Sequence, residues 1–325
     1  LNSQLGQEQG QKDGLKQLLE RRETELQIAT NELVQTRTKY TETSALLDTR
    51  TSELKGAQAF LTKADSVAGA DVVRMVEGLD AEILQTAAFM ADHFVFDGGK
   101  QDMNDEVHEA VGRLGELLGP RMVDLLGSTD HAHDPTLIQL ACQATIAAYC
   151  RYIIVSWDFD DIHYDQFLKD IYATVHEAED QAVSGRWRAL TRTHVQSMLH
   201  GDADISFSLL PHFAQSLSDI LLVAGLKAAH EHIHEEIMNT FGDKLMIVVR
   251  AALALNWVVG KDITSADLEP IVVICEAVFD PAVMADVNGN GELKAEVEHV
   301  LCTTDLGLQR VVGKSSKSKD GAAAS

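Results

Sequence analysis

Leucine or tyrosine recurs every seventh residue at Leu19, Leu26, Leu33, Tyr40, Leu47, Leu54 and Leu61. Apolar residues at strict heptad spacing form one stripe along a helix, so the pattern predicts a single rod over residues 1–64. At about 1.5 Å per residue its ordered part, from about Leu15 to Ala64, would be roughly 70–80 Å long. With the ladder at the a positions of a coiled coil, the d row reads Leu15, Arg22, Ala29, Thr36, Thr43, Arg50, Ala57 and Ala64. That row is poor, since a strong parallel dimer wants Leu at d. Glu32 at g and Arg37 at the next e make one favourable pair between heptads. The stripe therefore suits weak self-association, pairing with another chain, or packing back on its own body.

Beyond Ser66, Gly69 and Asp71 the period becomes that of ordinary amphipathic helices, separated by Gly, Pro and Asp punctuation. Helices are expected over Asp71–Phe96, Asp102–Leu118, Pro120–Leu126, Asp161–Ser184, Arg186–Leu199 and Ile205–Gly225. Lys227–Phe241, Lys244–Val259 and Ser265–Phe279 complete the series. Asp134 as N-cap, with Pro135 at the first helical position, opens a further helix that ends near Trp157. The β-branched clusters Tyr152–Val155 and Ile271–Ile274 lie inside longer helical patterns and read as buried helix. The fold class is thus all-α: an N-terminal coiled-coil helix, a multi-helix acidic body over residues 65–313, and a polar tail, 314–325, expected to be disordered.

The stretches ADSVAGADVVRMVEGLDAEILQTAAFMADHFVF, DQAVSGRWRALTRTHVQSML and VLCTTDLGLQRVVG resemble a large set of proteins predicted from mushroom-forming basidiomycete fungi. The resemblance covers most of Ala64–Gly313. It implies a coiled coil followed by an all-helical body, in some members with EF-hand-like segments, and it implies no reaction. In such relatives the chain often continues beyond the TTDLGL segment.

Charge narrows the partners. Of 27 Lys+Arg and 50 Asp+Glu in the 325 residues, nine of each lie in residues 1–64, so the whole net charge of −23 belongs to the body. Such a surface repels phosphate backbones, which are bound by neutralising them with Lys and Arg. Nucleic acid is not an expected partner; protein is, either a second copy or another coiled coil. The longest apolar run, Leu245–Val259, is interrupted by Arg250 and Asn256, so no membrane span is expected. The four cysteines include no CxxC pair and read as buried small hydrophobes in a reducing, cytoplasmic setting.

Two motifs carry candidate chemistry. His230-Glu231-His232-Ile233-His234 is a formal H-E-x-x-H, whose His230 and His234 share a helix face and would bind zinc, with Glu231 as general base. The competing reading is solvated histidines on a surface helix, and no third ligand follows downstream. Asp286-Val287-Asn288-Gly289-Asn290-Gly291-Glu292 matches the opening of an EF-hand loop, with Leu293 suited to position 8. Its second half fails, with Lys294 at position 9 and Val297 where a bidentate Glu belongs. Asp286, Asn288, Asn290, Glu292 and, after a one-residue slip, Glu298 are the calcium candidates, and any affinity would be weak. An Asn-Gly turn uses the same residues.

Asp130–Asp134 reads as a cap and turn, and Asp158, Asp160, Asp161, His163 and Asp165 as an acidic helix start. Arg186, Trp187, Arg188 and Arg192 form the one basic-aromatic patch, expected to make internal salt bridges. No phosphate loop or nucleophile motif appears. The sequence therefore favours a non-enzymatic scaffold without a cofactor over a weak calcium module, and both over a zinc hydrolase.

Overall fold

A computed structural model describes residues 2–61, 65–97, 104–199, 201, 203–287 and 297–313. The chain divides into two compact units, residues 1–62 and 63–325. The first is a single helix, α1, Asn2–Leu61. Its Thr24, Thr30, Thr38, Thr41 and Thr49 hydroxyls each donate to the carbonyl four residues back, which satisfies them without outside partners. Arg22 and Arg50, both in the d row, pair with Glu25 and Glu53 three residues on, at 3.0 and 2.8 Å.

Among its described residues the second unit is all-α apart from one small two-stranded sheet. Its helices are α2 (Gly69–His93), α3 (Asp105–Leu118), α4 (Pro120–Ser128), α5 (Thr136–Val155), α6 (Ile162–Ala178), α7 (Gln181–Leu199), α8 (Ser206–Val223) and α9 (His230–Trp257). A π-helical turn, Val258–Asp262, continues α9. Strands β1 (Asp267–Ile271) and β2 (Gly307–Val311) pair antiparallel, Asp267 opposite Val311 and Ile271 opposite Gly307.

Local chemistry explains several boundaries. Asn104 caps α3 by accepting from the Val107 amide at 2.9 Å. Gly119, with φ +84°, turns the chain into α4, which starts on Pro120. Pro135, rather than Asp134, takes the N-cap position of α5, which begins at Thr136, and Asp134 accepts from the Thr136 amide at 3.0 Å just before it. Helix α5 is buried around almost its whole circumference, from Ile138 to Ile154, and packs against α2, α8 and α9. Among the described residues it is the one helix long and apolar enough to cross a membrane by length and composition; 61% of that apolar window is buried inside the structure. Around it gather Leu79, Ile83 and Met90 of α2, Phe213 and Leu217 of α8, and Ile237, Leu245 and Val249 of α9.

Three expectations from the sequence are corrected. The segment Ser265–Phe279 is not a helix: it forms β1 and then runs irregularly, with Ile274 exposed. Pro270 is the physical reason, since it removes a helical N–H and biases Glu269 toward extended backbone. The helices expected at Lys227–Phe241 and Lys244–Val259 are one, because Gly242 continues α9 at the ordinary helical cost of about 1 kcal/mol. The break between α6 and α7 falls at Glu179–Asp180, and Gly185 lies inside α7. A Cβ on Gly185 would sit 2.2 Å from the Thr264 carbonyl oxygen, so this glycine serves a close approach rather than a helix stop.

Candidate functional site

The most extended candidate surface is the stripe on α1. Leu19, Leu26, Leu33, Tyr40, Leu47 and Leu54 are all between 58 and 72% exposed, and Leu15, Leu18 and Leu46 beside them are exposed as well. The side chain of Leu61 lies outside the described residues.

The HExxH residues open α9 on the second unit. Asp219 of α8 is buried at 1% exposure and accepts both Arg113 nitrogens, Nε at 2.9 Å and Nη2 at 2.8 Å. The same carboxylate meets His230 Nε2 at 2.8 Å, and Gln215 lies 3.3 Å from that nitrogen. Hydrogen bonding to Asp219 outweighs burial and holds the Arg113 guanidinium above its already high ordinary value. This carboxylate thus ties α3, α8 and α9 together, and His230 is spent on it. His234, one turn on, has a buried Nδ1 without a hydrogen-bond partner, and Glu231 and His232 are exposed. Glu106, Glu109, Arg113, Gln215 and His230 line a shallow polar cleft of about 220 Å³. Among the described residues no three His, Cys, Asp or Glu side chains are placed to share a metal ion.

Of the calcium candidates, Asn288, Asn290 and Glu292 lie outside the described residues. Asp286 follows a turn, and the Glu298 carbonyl accepts from the Phe279 amide at 2.9 Å. The histidines of the 130–134 loop diverge: His131 is buried against Phe96 with Nε2 2.8 Å from the Leu126 carbonyl, whereas His133 is exposed.

The acidic helix start is internal wiring. Asp165 accepts from the Trp157 amide at 2.7 Å and from Lys169 Nζ at 2.6 Å. Asp158 turns the backbone by accepting from the Asp160 amide at 2.9 Å, and Asp161 caps α6.

The basic-aromatic patch faces inward too. Arg188 forms a buried ion pair with Asp267 of β1 and donates to the Ile263 and Ala266 carbonyls. Tyr172 of α6 donates to the other Asp267 oxygen at 2.6 Å, and Gln181 Nε2 adds a bond at 3.0 Å. Burial pushes the Tyr172 hydroxyl above its ordinary value. Arg192 lies 4.7 Å over the Trp157 ring and donates to the Val155 carbonyl at 3.0 Å. Burial, and then neighbouring Arg188, lower it to about 9.

Family models, curated proteins and solved structures were each compared with the chain. None matches it. Functional inference therefore rests on the residues themselves, and the buried clusters around Asp219 and Asp267 read as structural joints. Sequence reasoning missed both carboxylates, because their partners stand 106 and 79 residues away in the chain.

Asp80 of α2 offers one pH-sensitive contact. It accepts from the Leu306 amide at 2.9 Å, joining α2 to the segment that leads into β2. Burial raises it to about 6, with Asp305 and Glu77 adding to the rise and the Leu306 bond opposing it. The folded state therefore binds the proton more tightly than the unfolded chain. Stability from this group is full below about pH 3.9 and is lost as pH rises through about 6. In Asp80→Asn that loss should be absent. Urea titrations at pH 5 and 7.5 check it, and an unchanged difference between the two pH values would refute it.

Proposed function

We propose that the protein is a non-enzymatic scaffold that self-associates through α1 and carries its acidic helical unit into the assembly. The observation that carries this reading is the exposed heptad stripe. A row of exposed Leu and Tyr at strict seven-residue spacing is costly to leave in water, and each fully buried Leu contributes about 1.5–3 kcal/mol. The weak d row bears on strength rather than on mode. Arg22 and Arg50 come already paired with Glu25 and Glu53, so their charges would be partly compensated at the seam's edge. The excess of acidic residues elsewhere favours a basic protein partner over nucleic acid.

Sedimentation of the full chain tests the reading. The intact protein should sediment as a dimer or larger species at tens of micromolar, equally in EDTA and in calcium. Leu26→Glu/Leu47→Glu should weaken association by at least about 100-fold, since two apolar layers are replaced by like charges. It should leave unfolding of the second unit unchanged. A monomeric wild type at these concentrations would overturn the proposal.

A further inference from the structure

The four cysteines do not share one environment. Cys142 and Cys150 are fully buried in α5, where burial pushes both thiols well above their ordinary value and keeps them inert. Cys275 and Cys302 are only half-buried, and they lie on the two segments that leave β1 and enter β2.

Beyond the two strands these segments keep an antiparallel pairing. Thr303 Oγ1 bonds both the amide and the carbonyl of Val273, at 3.1 and 3.0 Å. The next residues, Ile274–Ala277, form a turn closed by Ala277 N on the Ile274 carbonyl; Cys275 and Glu276 lie in it, and Glu276 N donates to Val300 O and Val300 N to Ala277 O, each at 2.8 Å. Val278 then bridges His299. Cys275 therefore sits between Val273 and Glu276 on one segment, and Cys302 between Val300 and Thr303 on the other. They occupy the same gap in the ladder.

Electrostatics agree with this placement. Cys302 is pushed up to about 11, first by burial and then by the neighbouring Cys275. Cys275 is raised by burial and by Glu276, with the Arg121 cation acting in the opposite direction. The flank of Cys275 rests on Gly119, where a Cβ would come within 2.7 Å of its Sγ, so the thiol is held in place.

We propose that Cys275 and Cys302 are a redox-responsive dithiol that closes into an intramolecular disulfide. The staple encloses residues 276–301, the stretch that includes Asp286. The oxidant is a low-molecular-weight disulfide, represented by oxidised glutathione. The Cys275 thiol loses its proton to solvent and attacks one glutathione sulfur, breaking the glutathione S–S bond and releasing one glutathione thiolate. Cys302, deprotonated in turn, attacks Cys275 Sγ, forms the Cys275–Cys302 bond and expels the second glutathione thiolate. Two protein thiols are oxidised, one disulfide is reduced to two thiols, and the two protons end on the glutathione products. Cys275 is the attacking group because it is the less deeply set of the pair.

Full-length protein, incubated natively with oxidised glutathione, alkylated and digested with trypsin without reduction, provides the test. Cleavage after Lys261, Lys294 and Arg310 places the two cysteines in separate peptides, Asp262–Lys294 and Ala295–Arg310. The expected product is these two peptides joined, with the intact protein still running as a single chain by denaturing, non-reducing mass. Reaction with an aromatic disulfide reagent should count two accessible thiols before oxidation and none after; Cys142 and Cys150 should appear only on denaturation. In Cys302→Ser, Cys275 should be trapped as the mixed disulfide with glutathione. Wild-type protein carrying only separate glutathione adducts, a cross-link between two chains, or free alkylated thiols at both positions would each overturn the proposal. The peptide map of the wild type does so without reliance on any variant.

Discussion

Asp267→Ala should be the most damaging single substitution in the second unit, lowering its stability by about 3–5 kcal/mol, the range for breaking a buried ion pair. Arg188 and Asp267 are 4 and 5% exposed, so solvent cannot replace the lost partner. Removing the carboxylate leaves the guanidinium with the Ile263 and Ala266 carbonyls and the Tyr172 hydroxyl, and it deprives Tyr172 and Gln181 of their acceptor. The lesion falls where α6, α7, the π-helical turn and β1 meet. Denaturant unfolding followed by tryptophan fluorescence reports on it directly, because Trp187 stacks on Tyr172 and Trp157 packs against it at a tilt at this joint. Replacing both partners together, Asp267→Leu with Arg188→Met, should recover much of the loss, since no bare charge then remains. A loss under about 1 kcal/mol in Asp267→Ala would mean that the pair adds little to holding β1 on the helices.

What the sequence revealed divides by the range of the interaction. The heptad ladder and the 3.6-residue patterns of α2 and α5 are local, and they sufficed for the all-α class and for most helix ends. Pro120, at the start of α4, acts on its own neighbours and was equally legible, whereas the expected start at Asp102 lay three residues before α3, which Asn104 caps. Gly185 and Gly242 look alike in the sequence, yet one meets the Thr264 carbonyl and the other meets nothing, a difference only the packing supplies. The apolar run Ile271–Ile274 suggested buried helix, whereas it is strand end and irregular chain; Pro270, inside the same segment, is a local signal against a helix that the reading of that run did not take into account.

The candidate sites follow the same division. His230 and His234 do open a helix, as their spacing implies, but Asp219, itself held by Arg113, reaches His230 from an element that the motif cannot name. Arg188 and Arg192 turn inward for the same reason, since Asp267 and the Val155 carbonyl come from distant parts of the chain. The cysteines, read as four equivalent buried hydrophobes, separate into two kinds only once Val273 is set beside Thr303 and Glu276 beside Val300.

Asn256→Asp should rank second in effect and should carry a pH signature. Asn256 is 1% exposed on α9, and it interrupts an otherwise apolar run for a reason that lies on another helix. Its Nδ2 donates to the Ile153, Ile154 and Ser156 carbonyls at 2.8, 3.1 and 2.7 Å, satisfying the open end of α5, while its Oδ1 accepts from Gln196 at 3.0 Å. A carboxylate of the same shape would aim an anion at three carbonyl oxygens and remove both donors. The expected cost is about 3–5 kcal/mol at neutral pH, against about 2–3 kcal/mol for Asn256→Ala, which loses the donors without burying a charge. Burial and the facing carbonyls raise the folded-state pKa of the introduced group above that of the unfolded chain. The protonated carboxyl regains one donor, so the deficit relative to wild type should shrink toward acid pH and grow as pH rises from 5.5 to 8. Taking the difference from wild type at each pH removes the contribution of Asp80. A deficit independent of pH, or an Asp variant more stable than the Ala variant at pH 8, would show that the end of α5 finds its donors elsewhere.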